Sequence, residues 1–123
     1  MSQPLAVVFY ERLMPGSQLV NRLQDLNYRV LAVNNAALLA ATVKREMPLL
    51  LLADLKTKAE VRTAIEKIKA DPGTTHIPVI VFAPDEETEL IEAGKLAGAN
   101  FAIGESGLGG HLAQLLDQAL HLE

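Results

Sequence analysis

Asp54 closes the apolar run Leu49-Leu50-Leu51-Leu52-Ala53. An ionised carboxylate in that place either does chemistry or needs a cation beside it. Two other carboxylates stand where apolar runs end, Glu11 after Leu5–Tyr10 and Glu105 after Asn100–Ile103 and Gly104. Brought together, Glu11, Asp54 and Glu105 would make an all-oxygen site, because magnesium and calcium accept carboxylates along with several waters. The structural alternative is an ion pair in which Arg12, Lys56 or Lys58 neutralises Asp54. Both readings follow from residue type and stay open at this point.

Other chemistry has less to rest on. The loop Gly104-Glu105-Ser106-Gly107-Leu108-Gly109-Gly110 is glycine-rich, but it lacks the Lys-Ser/Thr ending of a phosphate loop, the dinucleotide GxGxxG and the GxSxG serine elbow. It reads as a flexible start to a helix. His76, His111 and His121 have no metal-ligand spacing, and the chain has no cysteine, so thiolate zinc, disulfides and cysteine nucleophiles all drop out. Ser106 and Thr88 have no histidine beside them to activate a hydroxyl. The acidic run Asp85, Glu86, Glu87 and Glu89 reads as charge favouring a helix N-terminus.

The elements that must position the strand-end residues are legible from period and punctuation. Strands are predicted at Leu5–Tyr10, Tyr28–Val33, Leu49–Asp54, Pro78–Ala83 and Asn100–Ile103. Between and after them, helices are predicted from Pro15 to Leu26, from Ala36 to Glu46 with Asn35 as cap, from Thr57 to Ala70, from Asp85 to Ala97, and from Gly107 to Leu122. Parallel strands joined by helical crossovers give a doubly wound α/β fold, a five-stranded parallel sheet with helices on both faces. Ligands of such sheets bind outside the carboxyl ends of the strands, where Asp54 stands. The 123 residues suit one domain, residues 1–123. Eleven basic residues against fifteen acidic give a net charge of −4. With no dense basic cluster, no nucleic-acid partner is expected. The absence of a long apolar run argues against a membrane span, and the expected location is cytoplasmic.

The order of elements, the spacing from Pro48 through four leucines and an alanine to Asp54, the strand Ile77-Pro78-Val79-Ile80-Val81-Phe82-Ala83, and the turn Ala97-Gly98-Ala99-Asn100 together resemble the receiver domain of bacterial two-component response regulators. The likeness runs from about Leu5 to Leu120 and implies a flavodoxin-like fold. It also implies that Asp54 occupies the position that accepts a phosphoryl group from a histidine kinase. The family's acidic pair, which holds magnesium, corresponds to Tyr10 and Glu11. Its hydroxyl residue corresponds to Ala83, its lysine and proline to Glu105 and Ser106, and its switch aromatic to Ala102.

The departures matter because phosphoryl transfer is carried mainly by positioning and electrostatics. Two unit charges about 4 Å apart interact by about 4 kcal/mol at an effective dielectric near 20. An ionised Glu105 facing the cleft would therefore repel an acyl phosphate on Asp54. The expectation is a stand-alone, degenerate receiver-like domain that acts through protein contacts with impaired phosphorylation. It is not an enzyme, beyond at most self-phosphorylation and dephosphorylation at Asp54. No cofactor is required, with magnesium allowed at Glu11 and Asp54. Alternatives are a slow phosphoacceptor at Asp54 using magnesium, and a metal or small-molecule sensor at the strand-end pocket. The expected partners are signalling proteins, a histidine kinase among them, or a second copy bound through Ile91, Leu116 and Leu120.

Overall fold

The computed structural model describes residues 3–57 and 60–120, without the side chains of 109–111. Five strands, β1 (Leu5–Phe9), β2 (Arg29–Val33), β3 (Leu50–Asp54), β4 (Val79–Ala83) and β5 (Phe101–Gly104), form one parallel sheet in the order β2-β1-β3-β4-β5. The helices are α1 (Leu13–Asp25), α2 (Leu39–Glu46), α3 (Val61–Ala70), α4 (Thr88–Leu96) and α5 (Ser106–Leu120). This is the doubly wound α/β architecture that the apolar periodicity predicts.

Alternation along the central strands divides the interior in two. Val7, Phe9, Leu51 and Ala53 face α2, α3 and α4, while Ala6, Val8, Leu50 and Leu52 face α1 and α5. Every residue of β3 and β4 is buried, which explains why these strands read as continuous apolar runs and not as alternating ones. The leucines of β3 prefer helix by propensity, but burial between two helical layers overrides that preference.

Regular helix in α1 begins at Pro15, as expected, because Met14 precedes proline and is held extended at φ −108 and ψ 121. Asn35 caps, its Oδ1 accepting from Ala37 N at 3.0 Å. What it caps is a 3₁₀ turn, Ala36–Leu38, that leads into α2. The charged helix α3 begins at Val61 and not at Thr57. Helix α4 begins at Thr88 and not at Asp85, because Asp85 is engaged elsewhere.

The residues expected at a homodimer surface are mostly turned to the interior. Leu116 is 3% exposed and belongs to the core beneath α1 and α5, Leu120 packs against that same core, and Ile91 packs against the other one. Leu116 is closed to a second copy because the apolar stripe of α5 packs on the sheet. Leu122 and His121 lie outside the described residues. No helix among the described residues is long and apolar enough to cross a membrane.

Candidate functional site at the carboxyl end of the sheet

Asp54, fully buried, ends the middle strand, and the loop after β1 delivers a guanidinium to it. Arg12 Nε donates to Oδ2 at 2.7 Å and Nη2 donates to Oδ1 at 2.8 Å, a two-pronged grip on one carboxylate. The backbone N–H of Lys56 donates to Oδ1 at 2.9 Å. Both oxygens of Asp54 are thus engaged by three donors. Arg12 Nη2 also donates to Glu105 Oε1, so one guanidinium joins β3 to the loop after β5. These carboxylates hold the Arg12 guanidinium further above its ordinary range, Asp54 contributing most.

The remaining strand-end loops are braced to one another. The Lys56 ammonium pairs with Glu87, tying the β3–α3 loop to the β4–α4 loop. Asp85 Oδ1 accepts from Ser106 N at 3.1 Å and so caps α5 across the gap between loops. Ser106 keeps the Asp85 carboxyl below its ordinary 3.8. Gly104 permits this approach, because a Cβ there would collide with the Asp85 carboxylate. Arg12, Asp54, Lys56, Glu87, Asp85, Ser106 and Glu105 therefore close a ring of contacts around the end of the sheet. A cleft of about 800 Å³ opens between the β1, β3 and β4 loops, with Glu11, Arg12, Leu55, Lys56, Glu87 and Leu90 in its walls.

Of the two described basic residues considered for Asp54, Arg12 is the one whose side chain reaches it. Lys56 contributes its amide while its ammonium goes to Glu87, and Lys58 lies outside the described residues. Arg12 bonds both Glu105 and Asp54, so the bare repulsion expected from sequence is replaced by a shared cation. Tyr10 turns away towards α1, its ring lying where a Cβ of Gly16 would be. Ala83 is buried at the end of β4, and Ala102 packs partly buried in β5. The roles of Asp85, Glu87 and Gly104 escaped sequence reasoning. A glycine ending a strand was the one available sign of a close approach.

The residues present do not fit the magnesium site that the resemblance implies. A metal ion would have to displace Arg12 from Asp54, and Glu11 is exposed. Among the described residues no three His, Cys, Asp or Glu side chains are grouped to hold a metal.

No family profile matches the chain, and no curated protein sequence does. Solved structures do match. A protein assigned to the response regulators from Chloroflexus aurantiacus superposes with a TM-score of 0.88 at 16% identity, over 97% of this chain and 98% of its own. The fold is that of a receiver domain. The receiver domain of a sensor histidine kinase from Pseudomonas aeruginosa, with magnesium coordinated in its active-site cleft, gives 0.86 at 17% identity, over 97% of this chain and 98% of the other. The receiver domain of NtrX from Brucella abortus gives 0.82 at 16% identity, over 96% and 99%. At the candidate site the loop after β1 supplies Arg12 and the loop after β5 supplies Glu105.

Proposed function

We propose that this chain is a receiver domain of bacterial two-component signalling that works by protein contact in one fixed conformation, with phosphorylation at Asp54 impaired. The observation that carries this reading is the grip of Arg12 on both oxygens of Asp54. For the carboxylate to attack a phosphorus atom, the guanidinium must first leave. Breaking a buried ion pair of this kind costs about 3–5 kcal/mol, roughly two to four orders of magnitude in population. The ring of contacts supports the same reading, since it joins the loops that would have to move in a switch. In this reading the chain is a cytoplasmic binding module and not an enzyme, and its partners are other signalling proteins, a histidine kinase among them.

The slow phosphoacceptor and the metal sensor both require Arg12 to be displaced, and nothing in the arrangement favours that. Incubation with acetyl phosphate and magnesium followed by intact-mass measurement tests the proposal. The expected result is no stoichiometric phosphoryl adduct. An adduct on the native chain that disappears in Asp54→Ala overturns it.

A further inference from the structure

One nitrogen stands between two of the strand-end carboxylates. Arg12 Nη2 donates to Asp54 Oδ1 at 2.8 Å and also to Glu105 Oε1, while Nε holds the second oxygen of Asp54 at 2.7 Å. A single cationic atom thus bridges the end of β3 and the loop after β5. Bridging of this kind is what a hard divalent ion does when one or two carboxylates and several waters surround it. Here the chain supplies the cation itself. The segment that carries it is fixed on both sides, since Tyr10 N donates to Val33 O at 3.1 Å before it and α1 is seated through Leu19 and Leu23 after it. A tethered cation whose backbone is already placed acts at a high effective concentration, against which a free ion has to compete. The guanidinium also stays charged at any pH at which the protein is folded. Two further carboxylates at this end are engaged as well, Glu87 by the Lys56 ammonium and Asp85 by the Ser106 amide.

We propose that Arg12 is a built-in cation that does the work of a divalent ion between Asp54 and Glu105, so that the arrangement of these loops does not depend on magnesium. The inference rests on the fixed-conformation reading above and deepens it by naming a signal to which the site does not respond. A ligand shifts a conformation only through a difference in affinity between its states, and with Arg12 in place the ion has no free carboxylate pair to prefer. Removing the side chain uncovers Asp54 and Glu105 beside the Lys56 amide. A divalent ion then becomes a ligand of the folded state and stabilises it. The native chain therefore holds a latent cation site that one side chain closes.

The test compares urea unfolding of the native chain, Arg12→Ala and Arg12→Gln in magnesium, in manganese and in a chelator, with sodium chloride keeping the ionic strength equal. A glutamine amide can still donate to Asp54, so the second variant is the milder one. The native midpoint should be the same in every solution. Each variant should unfold at lower urea in the chelator, and about 10 mM of either ion should raise its folding equilibrium constant about tenfold, as a site of about 1 mM affinity does. Adding Asp54→Asn to Arg12→Gln should abolish that gain. Paramagnetic manganese reports the place directly: in the ¹⁵N-labelled variants it should broaden the amide signals of Lys56 and Glu105 at concentrations that leave those of the native chain sharp. Three outcomes overturn the proposal: a native chain stabilised by either ion or broadened at Lys56 and Glu105 as the variants are; no gain from either ion in either variant, a variant that stays unfolded throughout included; or a gain that survives Asp54→Asn. The solutions contain no phosphoryl donor, so none of these outcomes bears on whether Asp54 accepts phosphate, which the mass measurement decides separately.

Discussion

The two ends of the same sheet are held together in different ways. At the amino end, backbone meets backbone: Arg29 N donates to Pro4 O at 2.8 Å, Leu49 N to Leu5 O at 2.8 Å, and Asn100 N to Val79 O at 2.8 Å. Side chains join in, Asn100 Oδ1 accepting from Val79 N at 2.9 Å, Arg29 Nε donating to Gln3 O at 3.2 Å and Lys69 Nζ to Ile77 O at 2.8 Å. At the carboxyl end backbone also meets backbone, Tyr10 N donating to Val33 O at 3.1 Å, Leu55 N to Phe82 O at 2.8 Å and Glu105 N to Ala83 O at 2.9 Å, and a network of charged side chains centred on Arg12 is added to it. Backbone bonds tolerate most substitutions because every residue type carries the same groups. A buried charge network does not, since removing one member leaves another unpaired. The sheet is thus tolerant of sequence change at one end and particular at the other, and the particular end is the one where ligands of this fold bind.

The largest effect expected from breaking this contrast is Arg12→Ala, which leaves Asp54 buried with the Lys56 amide alone. Urea unfolding should show a loss of about 3–5 kcal/mol. Combining Arg12→Met with Asp54→Leu should restore most of it, because an apolar pair replaces a buried ion pair at little or no cost. A double variant as unstable as the single one would mean that the ion pair is not the reason for the loss. Next in size is a side-chain bond at the amino end. Asn100→Ala should cost about 1 kcal/mol, and a loss as large as that of Arg12→Ala would erase the distinction between the ends.

Glu105→Gln is expected to cost less than about 1 kcal/mol, since Arg12 keeps its main partner and Glu105 is partly solvated. The smallest change in stability is expected for Arg45→Ala, whose ion pair with Glu46 is exposed at 64% and 37% and should be worth under about 0.5 kcal/mol.

Acid separates the ends in a second way. Asp85 at the carboxyl end is held below its ordinary 3.8 by its bonds from Ser106, and Asp71, leading towards the amino end of β4, by the Lys44 ammonium and the Gly73 amide. A depressed carboxyl contributes stability that is present above the ordinary value and disappears as pH falls through the folded value. Native stability should therefore decline below about pH 4, and Asp85→Asn should flatten part of that decline while leaving the Asp71 part. Urea midpoints compared at about pH 3 and pH 6 check this, and identical acid slopes in native and variant chains would remove Asp85 from the account.

The strands, their parallel arrangement and the position of Asp54 at the end of the middle one were legible because apolar period and turn residues are local properties of the chain. Helix starts were less legible. Asp85 looks like the first residue of a helix, yet its carboxylate serves the N-terminus of α5, 21 residues further on. Leu116 was expected at a surface for a second copy, and the sheet covered it instead.

By itself, then, the amino-acid order determined a doubly wound sheet and a carboxylate that had to find a cation. Arg12, Lys56 and Lys58 all satisfy that need in composition, and two of them are closer along the chain. Only the tertiary structure decided in favour of a residue 42 positions away and spent the nearer Lys56 ammonium on Glu87. Charge pairing depends on which loops the fold brings to the same end of the sheet, and that distance in space is not written in any local stretch of residues.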